Sequence, residues 1–252
     1  MSNNNKILLA FYGDDFTGST DALEFICRAG AKAILFIEPP TSEQLKKYPD
    51  LDVYGVAGKT RSLPPIEMED ILMDAFTKIK TTGARHVHYK VCSTFDSSPT
   101  VGSIGKAIDC GATVFKNKTI PVLGGMPALG RFCVFGNLFA KMGIGSEGKI
   151  YRLDRHPSMS KHPVTPADES DLRLHLGKQT EKKIGLIDII QLKQPVQQIN
   201  CDEEVVLMDA LNEQHLLKAG EWMEMHAENG PLFSVGGSSV EMALGKYWNE
   251  KQ

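Results

Sequence analysis

A short apolar run that stops at a knot of polar residues and then gives way to a helical pattern recurs along this chain. No other feature constrains its fold as much. The first instance is the clearest. Residues 7–11, Ile-Leu-Leu-Ala-Phe, read as a buried strand, and residues 21–27 read as a helix. Between them lies Tyr12-Gly13-Asp14-Asp15-Phe16-Thr17-Gly18-Ser19-Thr20. Two adjacent carboxylates therefore sit where a strand hands over to a helix, and Gly13 and Gly18 permit a tight backbone path. Successive strand residues face opposite sides, so Asp14 and Asp15 are expected to do different jobs. Capping the helix is the plainer use for one of them.

The same reading extends down the chain. Strands are expected at 33–37, 53–57, 86–91, 119–123, 132–135, 183–187, 205–208 and 232–235. Helices are expected at 41–48, 66–81, 100–109, 168–176, 213–228 and 239–248. Residues 152–167 read as a loop, because Pro157, Pro163 and Pro166 each remove a donor and restrict the preceding residue. No internal repeat is visible. Alternation of this kind predicts an α/β fold, a mainly parallel sheet with helices on both faces in a Rossmann-like three-layer arrangement. The 252 residues are read as a single domain.

Composition narrows the function classes. A formal charge of −3 gives no broad cationic surface for nucleic acid. No apolar stretch approaches the roughly 18 residues that span a membrane, and residues 1–6 lack the apolar centre of a signal peptide. Cys27, Cys92, Cys110, Cys133 and Cys201 are scattered without a close pair, which suits free thiols in a reducing cytoplasm. A cytoplasmic protein without nucleic-acid or membrane partners is expected.

The strand ends carry the chemistry. They bring Asp14 and Asp15, then Thr60-Arg61-Ser62, then Lys90 with Ser93-Thr94-Phe95-Asp96, then Asp209, and finally Gly236-Gly237-Ser238-Ser239. In a parallel sheet these groups converge on one rim, where open α/β sheets bind ligands. Arg61 offers a fork for a carboxylate and Lys90 a compact charge, while carboxylates and hydroxyls suit a polyol. Gly236 to Ser239 opens a helix, whose first N–H groups make an anion site. Three other signals fail. Gly102-Ser103-Ile104-Gly105-Lys106-Ala107 lacks the spacing of a phosphate loop. The Asp pair lacks the intervening residue of haloacid-dehalogenase-type phosphatases. His86 and His88 share a strand face without a third metal ligand, so core packing suits them better and no metal is expected.

Tyr12 to Asp21 is similar to the signature of the four-carbon acid sugar kinase family. Tyr89 to Ser97 with Gly102-Ser103-Ile104-Gly105 resembles its second motif. Thr60-Arg61-Ser62, His162-Pro163-Val164-Thr165-Pro166 and residues 233–241 resemble its other landmarks, in the family's order and over nearly the whole chain. The resemblance implies a kinase that phosphorylates threonate, erythronate or related acids with ATP and Mg²⁺. It implies an amino-terminal sugar-acid domain and a separate nucleotide domain. This chain matches the first, so the nucleotide domain is expected to lie elsewhere, on a longer chain or a partner. The alternative is a stand-alone sugar-acid binding module or sensor. A weaker one is an unrelated hydrolase or phosphatase built on the Asp pair.

Carried over residue by residue, Asp15 is the expected general base. Asp14 and Thr17 would hold sugar hydroxyls, and Arg61 and Ser62 the substrate carboxylate. Lys90, Ser93, Thr94 and Asp96 would complete the pocket, with Lys90 also near the transferred phosphate. His162 and Thr165 are possible loop contacts, and Gly236, Gly237, Ser238 and Ser239 a possible anion site.

Overall fold

The computed structural model describes residues 7–143, 147–228 and 230–251. In chain order the first half forms β1 (Leu9–Gly13), α1 (Phe16–Arg28), β2 (Ala33–Phe36), α2 (Ser42–Leu45), β3 (Val53–Ala57), α3 (Pro65–Thr81), β4 (His86–Lys90), α4 (Ile104–Phe115) and β5 (Ile120–Leu123). Then come β6 (Arg131–Val134), β7 (Asn137–Lys141), β8 (Ile150–Arg152), α5 (Leu172–Gly177), β9 (Ile184–Ile187), β10 (Val205–Met208), α6 (Glu213–His226), β11 (Leu232–Gly236) and α7 (Ser239–Lys251).

Eight strands form one sheet in the order β2-β3-β1-β4-β11-β5-β10-β9, and every pairing in it is parallel. A parallel sheet must be covered on both faces, so its central strands read as continuous apolar runs. β1, β3, β4, β5, β10 and β11 are buried along their whole length. One face packs on α3 and α4, through Met68, Leu72, Phe76, Ile104 and Ile108 against Tyr12, Tyr89 and Phe233. The other packs on α1, α6 and α7, through Ile26, Trp222, Met223 and Leu244 against Leu9 and Phe11. This is the expected three-layer α/β fold. Among the described residues no helix is long and apolar enough to cross a membrane.

The middle of the chain departs from the sequence reading. A second sheet, β6-β7-β8, is antiparallel and follows β5. Only its first strand was expected, because β7 and β8 are short, partly exposed and lack a clean apolar alternation. The expected helix at 100–109 lies later, as α4. Ser103 caps it by accepting the Lys106 N–H at 3.0 Å, so residues before 103 are turn. α5 starts at Leu172 rather than 168 for the same reason, with Asp171 as its cap.

One strand-end candidate takes a structural role, and the two histidines of β4 lie in the core. Asp209, at the end of β10, is fully buried and accepts the backbone N–H groups of Phe135, Gly136 and Ile189, tying the second sheet to the first. His86 and His88 are core residues on one face of central β4, bonded to Glu224 at 2.8 Å and Glu241 at 2.6 Å. Arg85 also reaches Glu224, and Trp248 donates its indole N–H at 3.2 Å. Burial alone would raise the Glu224 carboxyl, but its donors and the Arg85 charge prevail and hold it down to about 2. Because its folded value lies below the unfolded value of 4.5, this stabilisation is complete above that pH and is lost as pH falls toward 2. Urea unfolding at stepped pH should therefore show the stability advantage of the wild type over Glu224→Gln shrinking by about 2 kcal/mol, after allowance for solvent screening, as pH falls from 4.5 toward 2.

Candidate functional site

Chain order places the site. From β1 the chain passes to β2 and β3 on one side of the sheet, and β4 lies on the other side, so the strand order reverses between β1 and β4. The crevice beyond such a reversal is where ligands bind in open α/β sheets. Asp14 and Asp15 end β1, Lys90 ends β4, and the Asp14 N–H donates to the Lys90 carbonyl at 2.9 Å.

Asp14 and Asp15 separate as the pleat requires. Asp14 is 3% exposed, on the side of the Tyr12 and Tyr89 rings, which stack 6.2 Å apart. Asp15 caps α1 from an extended backbone and accepts the Gly18 N–H at 2.7 Å. Arg61 joins them. Its Nε and Nη2 donate to Asp14 at 3.0 and 2.6 Å, and its Nη1 donates to Asp15 at 2.6 Å. The Arg61 backbone N–H also donates to the Asp14 carbonyl at 3.0 Å. The fork that the sequence offered to a substrate carboxylate is thus spent mainly on the protein's own aspartates. Burial pushes the Asp14 carboxyl above the ordinary range, against the pull of Arg61 and Lys90. A Cβ at position 18 would stand 2.5 Å from Asp15 Oδ1 and 3.0 Å from Lys90 Nζ, so any larger residue there would push these charged side chains out of place.

Lys90 is 2% exposed and donates to the Val91 carbonyl at 2.9 Å. It makes no ion pair among the described residues. Thr17 and Ser62 are exposed at the lip of the crevice, while Asp15 and Arg61 are partly open, at 30% and 27% side-chain exposure. The β4–α4 loop brings Ser93, Thr94 and Asp96, with the Thr94 hydroxyl donating to Asp96 at 2.7 Å and Cys92 Sγ 3.0 Å from it. Gly237 packs against Ser93, so the β11–α7 turn meets this loop.

One group differs from expectation, and the proline-rich loop holds its own residues together. Gly236 to Ser239 are buried, Ser238 donates to Asp21, and no open anion-binding turn results. His162 and Thr165 are bonded to each other, with the Thr165 N–H 3.1 Å from His162 Nδ1. The sequence reading missed His175 on α5 and Gln179 just beyond its end, which hold the β4–α4 loop. No local signal marks them, because their partners lie about 80 positions away.

The arrangement is similar to known proteins. The family model of the sugar-binding N-terminal domain matches residues 9–244. The chain belongs to this family, the amino-terminal domain of the four-carbon acid sugar kinases. A 3-oxo-isoapionate kinase from Paraburkholderia graminis is 44% identical over 251 residues, covering 97% of this chain and 52% of that protein. A 3-oxo-tetronate kinase from Salmonella typhimurium is 28% identical over 243 residues, covering 93% of this chain and 54% of that protein. A solved structure from Salmonella typhimurium LT2 superposes with a TM-score of 0.83 at 27% identity, over 98% of this chain and 56% of that one. The chain spans about half the length of the curated relatives it matches.

Kinase relatives imply ATP and Mg²⁺. Mg²⁺ asks for an octahedron of oxygens at about 2.0–2.1 Å. Asp14 is closed off by Arg61, and among the described residues no group of three His, Cys, Asp or Glu is arranged to hold a metal. The helix-opening turn a triphosphate could use is buried beneath Asp21 and Ser93. These residues do not fit the nucleotide or its ion.

Removing one member of a buried pair leaves the other uncompensated. Arg61→Met should cost about 3 kcal/mol by urea unfolding. Adding Asp14→Asn to it should restore most of that loss, which identifies the orphaned carboxylate as its source.

Proposed function

We propose that this chain is the sugar-acid-binding half of an ATP-dependent kinase that phosphorylates a hydroxyl of a short sugar acid, of the 3-oxo-isoapionate, 3-oxo-tetronate, threonate or erythronate kind. Nucleotide and Mg²⁺ are held by a separate domain. One observation carries the reading: Asp15, a partly exposed carboxylate, is anchored at both oxygens beside Arg61 at the crevice of the strand-order reversal. The names of the relatives support the substrate class.

Phosphoryl transfer is mostly positioning and charge stabilisation. Asp15 keeps a lone pair on each oxygen after accepting from Gly18 and Arg61, so it orients the attacking hydroxyl and takes its proton. Asp14 serves this reading by fixing Arg61. The remaining Nη hydrogens of Arg61, with Ser62, receive the acid's carboxylate. Thr17, Ser93, Thr94 and Asp96 hold hydroxyls around the crevice. Lys90 acts from below the surface through its charge, which is weakly screened because it is buried.

Calorimetric titration of the chain with 3-oxo-isoapionate, 3-oxo-tetronate, D- and L-threonate and D- and L-erythronate should show one of these acids binding. Failure of all of them with a folded chain rejects the reading. In the kinase assembled with its nucleotide-binding half, Asp15→Asn should lower kcat about 10²–10⁴-fold while leaving acid affinity nearly unchanged. Near-normal turnover would remove Asp15 from the base role.

A further inference from the structure

The β4–α4 loop that carries Thr94 and Asp96 contains a backbone conformation it cannot hold cheaply. Phe95 has φ +55°, in the left-handed region, although it is a bulky residue. Its ring is buried in the core at 2% exposure, so the residue cannot swing out to relieve the backbone. A strained residue of this kind persists where its surroundings over-determine it.

The surroundings are His175 and Gln179. His175 Nε2 lies 3.2 Å from the Phe95 carbonyl and 2.9 Å from Ser97 Oγ. The Gln179 amide nitrogen stands 3.1 Å from the same Nε2, so the ring, the Ser97 hydroxyl and the Gln179 amide meet at one point, and the ring tautomer sets which of them donates. Ser97 Oγ donates to the same carbonyl at 3.0 Å and accepts from the Gln179 amide at 3.0 Å. The other end of the Gln179 amide accepts the Gly105 N–H at 3.2 Å, at the start of α4. The loop is therefore gripped at Phe95, at Ser97 and where α4 begins.

The grip rests on a continuous support. The Leu172 N–H at the start of α5 donates to the Gly136 carbonyl at 2.9 Å, and the Leu138 N–H donates to the Ser170 carbonyl at 2.8 Å. Asp209 in turn holds the N–H groups of Phe135 and Gly136 at 2.6 and 3.0 Å. A chain of bonds thus runs from β10 through the β6–β7 turn and α5 to the loop at the crevice.

We propose that His175 and Gln179 are positioning residues for the sugar-acid site: they hold Phe95 in its left-handed conformation and so aim Thr94 and Asp96 into the crevice. The aim toward a sugar acid rests on the function proposed above; the grip on the loop does not. Neither residue touches the substrate.

The test combines hydrogen exchange with calorimetry. In His175→Ala and in Gln179→Ala, amide exchange across residues 92–98 should rise about tenfold or more, while β1 and β4 keep their protection. Sugar-acid affinity should fall about tenfold or more. His175→Gln, which keeps a donor near the Nε2 position, should recover both. In an Asp96→Ala background His175→Ala should cost only part of the affinity it costs in the wild type, because one of the two groups it aims is gone. Unchanged exchange in both alanine variants, no recovery by His175→Gln, or a full additional loss in the Asp96→Ala background would overturn the proposal. If the wild-type chain binds no sugar acid, the kinase reading falls, and the exchange rates alone then decide whether His175 and Gln179 hold the loop.

Discussion

The rim of this sheet depends on the fork-to-carboxylate pairing of Arg61 with Asp14. A bidentate pair fixes distance and direction together. The same two residues are joined through their backbones, and the Asp14 N–H donates to the Lys90 carbonyl, so three strand ends meet at one residue. Asp14 is buried, and a buried carboxylate needs a partner. The geometry of the loop after β3 is therefore set by the electrostatic demand of a residue on β1.

That compensation shapes what the crevice offers. Asp14, Asp15, Arg61 and Lys90 carry formal charges that cancel, so what the crevice offers a ligand is set by the arrangement of these groups rather than by their net charge. Asp14 absorbs most of the Arg61 fork. Asp15 is pinned by Gly18 and Arg61 yet keeps an open edge. Lys90 sits nearby without an ion pair among the described residues, and it is the cation whose field is least neutralised locally.

Strand ends of similar appearance took different roles. Asp15 borders the crevice, whereas Asp209, equally a carboxylate at the end of a parallel strand, spends its acceptors on three backbone N–H groups of neighbouring turns. Gly236 to Ser239 look like an open helix start, yet Ser238 is drawn to Asp21 on α1 and Glu241 to His88 on β4. In each case the deciding partner comes from an element distant in sequence.

The eight parallel strands were legible because a strand buried on both faces must be apolar throughout, and each such run is a local signal. All eight were placed within a residue or two: β2, for example, ends at Phe36 rather than 37. The rim cluster of Asp14, Asp15, Arg61 and Lys90 followed from those runs, since parallel strands put their carboxyl ends on one side. The sequence by itself thus determined the layered architecture and the group of residues that end its strands. Tertiary structure alone decided that Arg61 closes on Asp14, that Asp209 is structural, that the β11–α7 turn is buried, and that His175 and Gln179 grip the loop at Phe95. The physical reason is that hydrophobic periodicity is written in neighbouring residues, whereas hydrogen bonds and ion pairs are settled between side chains that only folding brings together.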